Sequence, residues 1–166
     1  GITSGVNNIP GPDIETDTST GAIYVYADTN GHWSQRAYLK ASNTGANDWF
    51  GSRLALSGDG NTLAAGAQLE DSAAQEINGV QDNDTATEAG AVYLFVRTEG
   101  TWSQVAYIKG SNTEAFDEFG SSLSLSRDGS LIAIGAQYED GTSVGLDGGQ
   151  FDNSAFDSGA VYLFSR

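Results

Sequence analysis

Cysteine is absent from these 166 residues, so the chain can build neither a disulfide framework nor a thiolate metal site. Methionine is absent too, and a chain that opens on Gly1 is read as processed or excised. The single histidine, His32, leaves zinc without its usual ligands and a Ser-His-Asp triad without support. Basic residues are scarce: 7 Lys and Arg stand against 22 Asp and Glu, a net charge of −15. Without clustered cations nothing neutralises nucleic-acid phosphates, and an anionic membrane surface repels the chain. No apolar run approaches the roughly 20 residues of a membrane-spanning helix. Nor does any apolar pattern hold a period of 3.6, so helix is not expected. No glycine-rich loop of nucleotide-binding spacing precedes a helix. Catalytic residues are therefore not expected, whereas cations and neutral, hydroxyl-rich ligands such as glycans remain open.

What is present is a sequence written twice. Residues 21–89 overlay residues 90–158 without a gap, and a third copy opens at residues 159–166. Of 69 aligned positions 33 are identical, 30 of them in the first 51, so scaffold and drifting loop separate along each copy. Repeats of this length mark units that complete one another's cores by stacking. Two units and a fragment point to a piece of a larger object, or to a chain that needs copies of itself. Residues 1–20 hold both prolines and little to pack, and are read as a polar leader left from an inter-strand loop.

Each copy reads as four short strands. The first is Ala22–Ala27, repeated as Ala91–Val96 and Ala160–Phe164, rich in β-branched and aromatic residues. After a turn at Asn30-Gly31 or Glu99-Gly100 comes Trp33–Lys40 or Trp102–Lys109. Phe50–Ser57 and Phe119–Ser126 follow, with Leu54 and Leu56 on one face, as are Leu123 and Leu125: a half-buried strand. The fourth strand, Thr62–Ala67 or Leu131–Ala136, carries Gly66 or Gly135, where a second backbone or a large ring must approach closely. The expected fold is all-β and antiparallel, four strands to a repeat.

Two long polar stretches, residues 70–89 and 139–158, hold 11 of the 22 acidic residues. Loops of that length are functional or disordered. Glu70-Asp71 and Glu139-Asp140 recur where these loops begin. Such pairs suit either a polar strand exit that accepts backbone hydrogen bonds or a calcium ligand cluster, with Asp147 or Asp152 as further donors. Glycosidase carboxylates are disfavoured, because a catalytic pair should not be duplicated with the scaffold. Trp33 and Trp102 recur with the core and are expected to pack between neighbouring units. Trp49 has Glu118 as its counterpart, so the scaffold does not require it. Trp49, and with it Phe116, Phe151 and Phe156, is the expected ligand or partner contact.

Phe-Gly, a leucine strand, Gly-Ala-Gln and then Gly-Ala-Val-Tyr-Leu-Phe resemble the FG-GAP repeat, in a form similar to the bacterial variant with Trp-Ser-Gln-x-Ala-Tyr-Ile-Lys. The resemblance covers residues 21–166. It implies propeller-type blades running Phe50–Ala55, Leu63–Ala67, Ala91–Val96, Trp102–Lys109. The chain would then hold the last two strands of one blade, a complete blade and three strands of the next, an incomplete propeller whose edge at Ala160–Phe164 invites pairing. The family's calcium turn has Asp-x-Asp/Asn-x-Asp-Gly; here Ser57–Asn61 and Ser126–Ser130 carry one carboxylate each, so calcium, if bound, belongs to the acidic loops. The resemblance implies a non-catalytic structural or adhesive segment of a secreted or cell-surface protein. Its expected partners are itself, as homo-oligomer or filament, or neighbouring repeats. The alternative is a calcium-dependent module that binds glycan or protein.

Overall fold

Short β-branched and aromatic segments punctuated by glycine turns give strands and no helix among the described residues. The computed structural model describes residues 19–146 and 148–166. A first blade consists of β1 (Ile23–Thr29) and β2 (His32–Leu39). The second contains β3 (Arg53–Leu56), β4 (Thr62–Ala67), β5 (Ala91–Thr98) and β6 (Thr101–Ile108). In the third lie β7 (Phe119–Leu125), β8 (Leu131–Ala136) and β9 (Ala160–Ser165). Each sheet is antiparallel with strands in chain order, and no closed ring forms among the described residues. The expected two, four and three strands are thus present in the expected order. The sequence repeat straddles the blades, since β4 in one copy pairs with β5 in the next.

Local chemistry explains the recurring motifs. Asn30 and Gly31, like Glu99 and Gly100, both have positive φ, which gives the hairpin twist that right-handed strands need. The Phe-Gly phenylalanine packs edge-on against both aromatics of the blade's third strand. Phe50 lies 5.4 Å from Tyr93 and 6.0 Å from Phe95, and Phe119 lies 5.2 Å from Tyr162 and 6.3 Å from Phe164. Gly90 precedes β5 at φ +81, and a Cβ there would run into the backbone of Phe119 at the start of the next blade. Gly66 likewise meets the Gly120 carbonyl oxygen, 2.6 Å from where its Cβ would stand. At Gly135 the close neighbour is instead the Ser122 side chain on β7, so the expectation of a backbone or ring there is corrected.

Two apolar clusters lie between blades rather than within one. In the first, Ile23 and Leu39 of the first blade meet Leu63, Tyr93, Phe95 and Trp102 of the second. The other joins Val92, Leu94 and Ile108 of the second blade to Phe119, Ile132 and Ile134 of the third. A sheet facing a neighbour on both sides needs apolar residues on both sides, which is why β5 buries five consecutive residues. The leucine strands diverge from the half-buried expectation. Leu123 and Leu125 pack into the second cluster, but Leu54 and Leu56 are exposed. The first blade holds only β1 and β2 among the described residues, so nothing covers the Leu54 and Leu56 face of β3, while its other face meets β7 and brings Ala55 to the second cluster.

Candidate functional site

The longest connections, between β4 and β5 and between β8 and β9, concentrate the polar chemistry. Glu70 sits three residues past β4 and is only 1 % exposed. Its carboxylate accepts from Asn43 Nδ2 at 2.7 Å, the Tyr107 hydroxyl at 2.8 Å, Lys109 Nζ at 2.8 Å and the Ser72 amide at 3.2 Å. The Tyr93 hydroxyl donates to Asn43 Oδ1 at 2.6 Å and holds that amide in place. Burial pulls the Lys109 ammonium below its ordinary range, and the attraction of Glu70 opposes the shift. A fully desolvated ion pair keeps its charge only when neighbouring dipoles satisfy what remains, as Asn43 and Tyr107 do here.

Asp71 does a different job. Its carboxylate accepts the Glu88 amide at 2.8 Å and its carbonyl accepts the Ala86 amide at 2.9 Å, drawing the loop closed at its base. Asp140 repeats this with the amides of Asp157 and Ala155, at 2.8 and 3.1 Å. The Glu-Asp pairs thus divide their work: the glutamate anchors a buried network and the aspartate pins backbone. Beside Glu70 the nearest cation is the Lys109 ammonium. Among the described residues no three acidic or imidazole side chains converge as a metal ligand set. Asp152 caps Thr142 and Ser154, while Asp147 lies outside the described residues.

In the third blade the network is shorter. Glu139 is buried and accepts from Asn112 Nδ2 at 2.7 Å and the Tyr162 hydroxyl at 3.2 Å. Burial raises its carboxyl above the usual range. Sequence reasoning singled out the glutamates but missed Asn43, Asn112, Tyr107 and Lys109 as their partners. The signal was available: Gln81 and Gln150 match inside otherwise drifting loops. They do so because their side chains accept from Ser42 and Ser111 and their carbonyls from Asn43 and Asn112.

Two further carboxylates are buried at the turns before β3 and β7. Asp48 accepts the Gly45 amide, and burial lifts its pKa to about 6, with Glu70, Asp71 and Asp84 adding repulsion. Asp117 accepts the Glu114 amide and is lifted by burial to about 7. The hairpin aspartates go the other way. Asp59 accepts from Ser57 and Asn61, and Asp128 from Ser126 and Ser130, which holds each at about 2. In both hairpins the lone carboxylate staples the turn.

The four aromatics expected as contacts occupy three separate connections, and all are exposed. Trp49 and Phe116 stand at positive φ on the turns after β2 and β6; Phe151 and Phe156 lie between β8 and β9. The two repeated tryptophans part company. Trp102 is buried in the first inter-blade cluster with the Arg97 guanidinium 5.8 Å from its ring, whereas Trp33 is 73 % exposed. Tyr24 and Tyr26 are open beside Trp33, although their counterparts Tyr93 and Phe95 are fully buried. On the far side of the third blade Val161 and Leu163 are open, although Val92 and Leu94 are buried. The two outer faces therefore expose the same residue positions that the inner junctions cover.

Two stretches of the chain, residues 33–95 and 102–164, match the family model described as FG-GAP repeat. No curated protein matches the chain.

Proposed function

The chain belongs to the FG-GAP repeat family, and from that premise we propose that it is a non-catalytic structural or adhesive segment of an extracellular or cell-surface protein. Its outer blade faces and its open edge take further blades, from neighbouring repeats or from copies of itself. The observation that carries this reading is the contrast between equivalent positions. Tyr93, Phe95 and Trp102 are buried against a neighbouring blade, while Tyr24, Tyr26 and Trp33 present the same chemistry to water. Contiguous apolar surface of this kind is covered in working assemblies. Open faces at both ends make the contact head-to-tail, which favours a ring or filament over a two-fold dimer.

Light scattering over a concentration series tests it. The mass is expected to rise above 17.3 kDa with concentration, and Trp33→Ser is expected to suppress the rise while leaving the melting temperature of the dilute protein unchanged. A strictly monomeric particle at high concentration would remove self-association from the reading.

A second reading, a calcium-dependent module that binds glycan or protein, is favoured by Asp84, whose carboxyl is raised first by burial and then by the repulsion of Glu70, Asp71 and Asp82. Glu70, Asp71, Glu139 and Asp140 would then supply metal ligands, and Trp49, Phe116, Phe151 and Phe156 contact surface. A melting temperature that climbs with added calcium and falls with chelator is the result that supports it. The structural reading expects no change in either direction.

A further inference from the structure

Asn43, Glu70 and Lys109 are held more closely than an ion pair alone requires. One carboxylate carries both nitrogens: Lys109 Nζ donates to Oε2 at 2.8 Å, and Asn43 Nδ2 donates to Oε1 at 2.7 Å. The Asn43 amide is fixed on its other side too, since its Oδ1 accepts the Tyr93 hydroxyl at 2.6 Å. Lys109 and Glu70 are sealed from solvent. The rings of Tyr93 and Tyr107 stand 5.3 Å apart, and each sends its hydroxyl into this set. Lys40, the counterpart of Lys109 one repeat earlier, is also buried but donates to Thr20 Oγ1 and the Gly21 carbonyl.

An amine, a carboxamide and a carboxylate in one dry place are the parts of an acyl transfer. A lysine that has lost a proton is a nucleophile. A carboxylate touching both nitrogens can carry a proton from the incoming one to the leaving one. A hydroxyl aimed at the carbonyl oxygen stabilises the charge that develops there. Water, the competing nucleophile, is shut out.

We infer that Lys109 and Asn43 become joined by a side-chain amide bond, with Glu70 carrying the proton and Tyr93 supporting the carbonyl oxygen. Glu70 takes a proton from the Lys109 ammonium, and the freed Nζ attacks Asn43 Cγ. As the Nζ–Cγ bond forms, Oδ1 draws on the Tyr93 hydroxyl. Glu70 then passes its proton to Nδ2, the Cγ–Nδ2 bond breaks, and ammonia leaves with the surplus proton of Nζ. A lysine ammonium and a carboxamide go in; a secondary amide and an ammonium ion come out, so atoms and charge balance. Asn43 is only half-buried, which gives the ammonia a way out. The freshly folded chain holds the ion pair, and the bond matures from it. The link fastens the connection after β2 to the end of β6, tying the first blade covalently to the second. It forms once per chain, so the segment stays non-catalytic toward other molecules.

Intact mass and peptide mapping of the whole chain, followed through prolonged warm incubation below its melting transition, test this. The chain is expected to become lighter by one ammonia, with a peptide containing Asn43 joined to one containing Lys109. Glu70→Gln is expected to abolish the joined peptides in protein that still melts cooperatively. Tyr93→Phe keeps the ring and is expected to slow their formation about a hundredfold. An undiminished rate in Tyr93→Phe would overturn the role of that hydroxyl. Ammonia lost without joined peptides would assign the loss to succinimide at Asn30-Gly31 or Asn78-Gly79 and overturn the cross-link. Folded wild-type protein that keeps its full mass throughout overturns it as well.

Discussion

Lys109→Met is expected to cost about 3–5 kcal/mol of folding stability, because it strands the Glu70 carboxylate in a dry interior. The side chains of the pair are 0 % and 2 % exposed and their atoms are 2.8 Å apart, so water cannot replace the missing ammonium. Asn43 and Tyr107 keep donating to Glu70, which holds the loss to that of one buried charge. The double variant Lys109→Met with Glu70→Gln is expected to recover most of the loss, since exchanging a whole buried pair for neutral groups is often neutral. Urea unfolding checks both: the midpoint should fall sharply in the single variant and largely return in the double, with the slope unchanged. A single variant within about 0.5 kcal/mol of the parent, as surface changes are, would show that Lys109 is solvated.

Stability is expected to peak at mildly acid pH. Unfolded, Asp48 and Asp117 titrate at the ordinary 3.8; folded, they titrate at about 6 and about 7. Between those values the native state holds more protons than the unfolded chain, so raising pH through that window removes stability. Together the two carboxylates are expected to remove on the order of 2–4 kcal/mol by pH 8, after allowance for partial solvent screening. Asp59 and Asp128 act in the opposite sense. Held at about 2, they contribute stability above 3.8 that is lost as pH falls toward 2. The melting temperature should therefore rise from pH 2 to about 4 and fall from there toward pH 8. Asp48→Asn with Asp117→Asn keeps the acceptors for Gly45 and Glu114, and is expected to flatten the alkaline side. Global repulsion from the net charge would produce a similar slope, but 1 M salt screens that and leaves desolvation untouched. A slope abolished by salt would assign the effect to net charge instead.

The architecture was legible because its signals are local and recur. β-branched runs, glycine turns and a 69-residue offset place every strand within a few residues, and the Phe-Gly motif identifies the ring that packs on Tyr93 or Tyr162. Burial was less legible. Equivalent strands differ in exposure according to whether a neighbour is present, as Trp33 and Trp102 do, and no local pattern encodes that. The Glu-Asp pairs were found by recurrence, yet recurrence alone could not say that Glu70 turns inward while Asp71 turns along the loop. That distinction depends on partners distant in sequence: Asn43 and Lys109 for Glu70, 27 and 39 residues away, and Asn112 for Glu139, 27 residues away. The loop aromatics Phe151 and Phe156 are exposed, as a contact role requires, and exposure names no ligand.

Because the repeat straddles the blades, six residue pairs of the β4–β5 ladder stitch one copy to the next. Neighbouring units are therefore sewn together by backbone, with no hinge at the boundary. Tension applied along such an array meets a hydrogen-bonded seam at every repeat, so the array should yield in steps of rupture rather than by uncoiling like beads on a string. For a segment placed between a surface and whatever it holds, stiffness would come from this offset and not from the strength of any one blade.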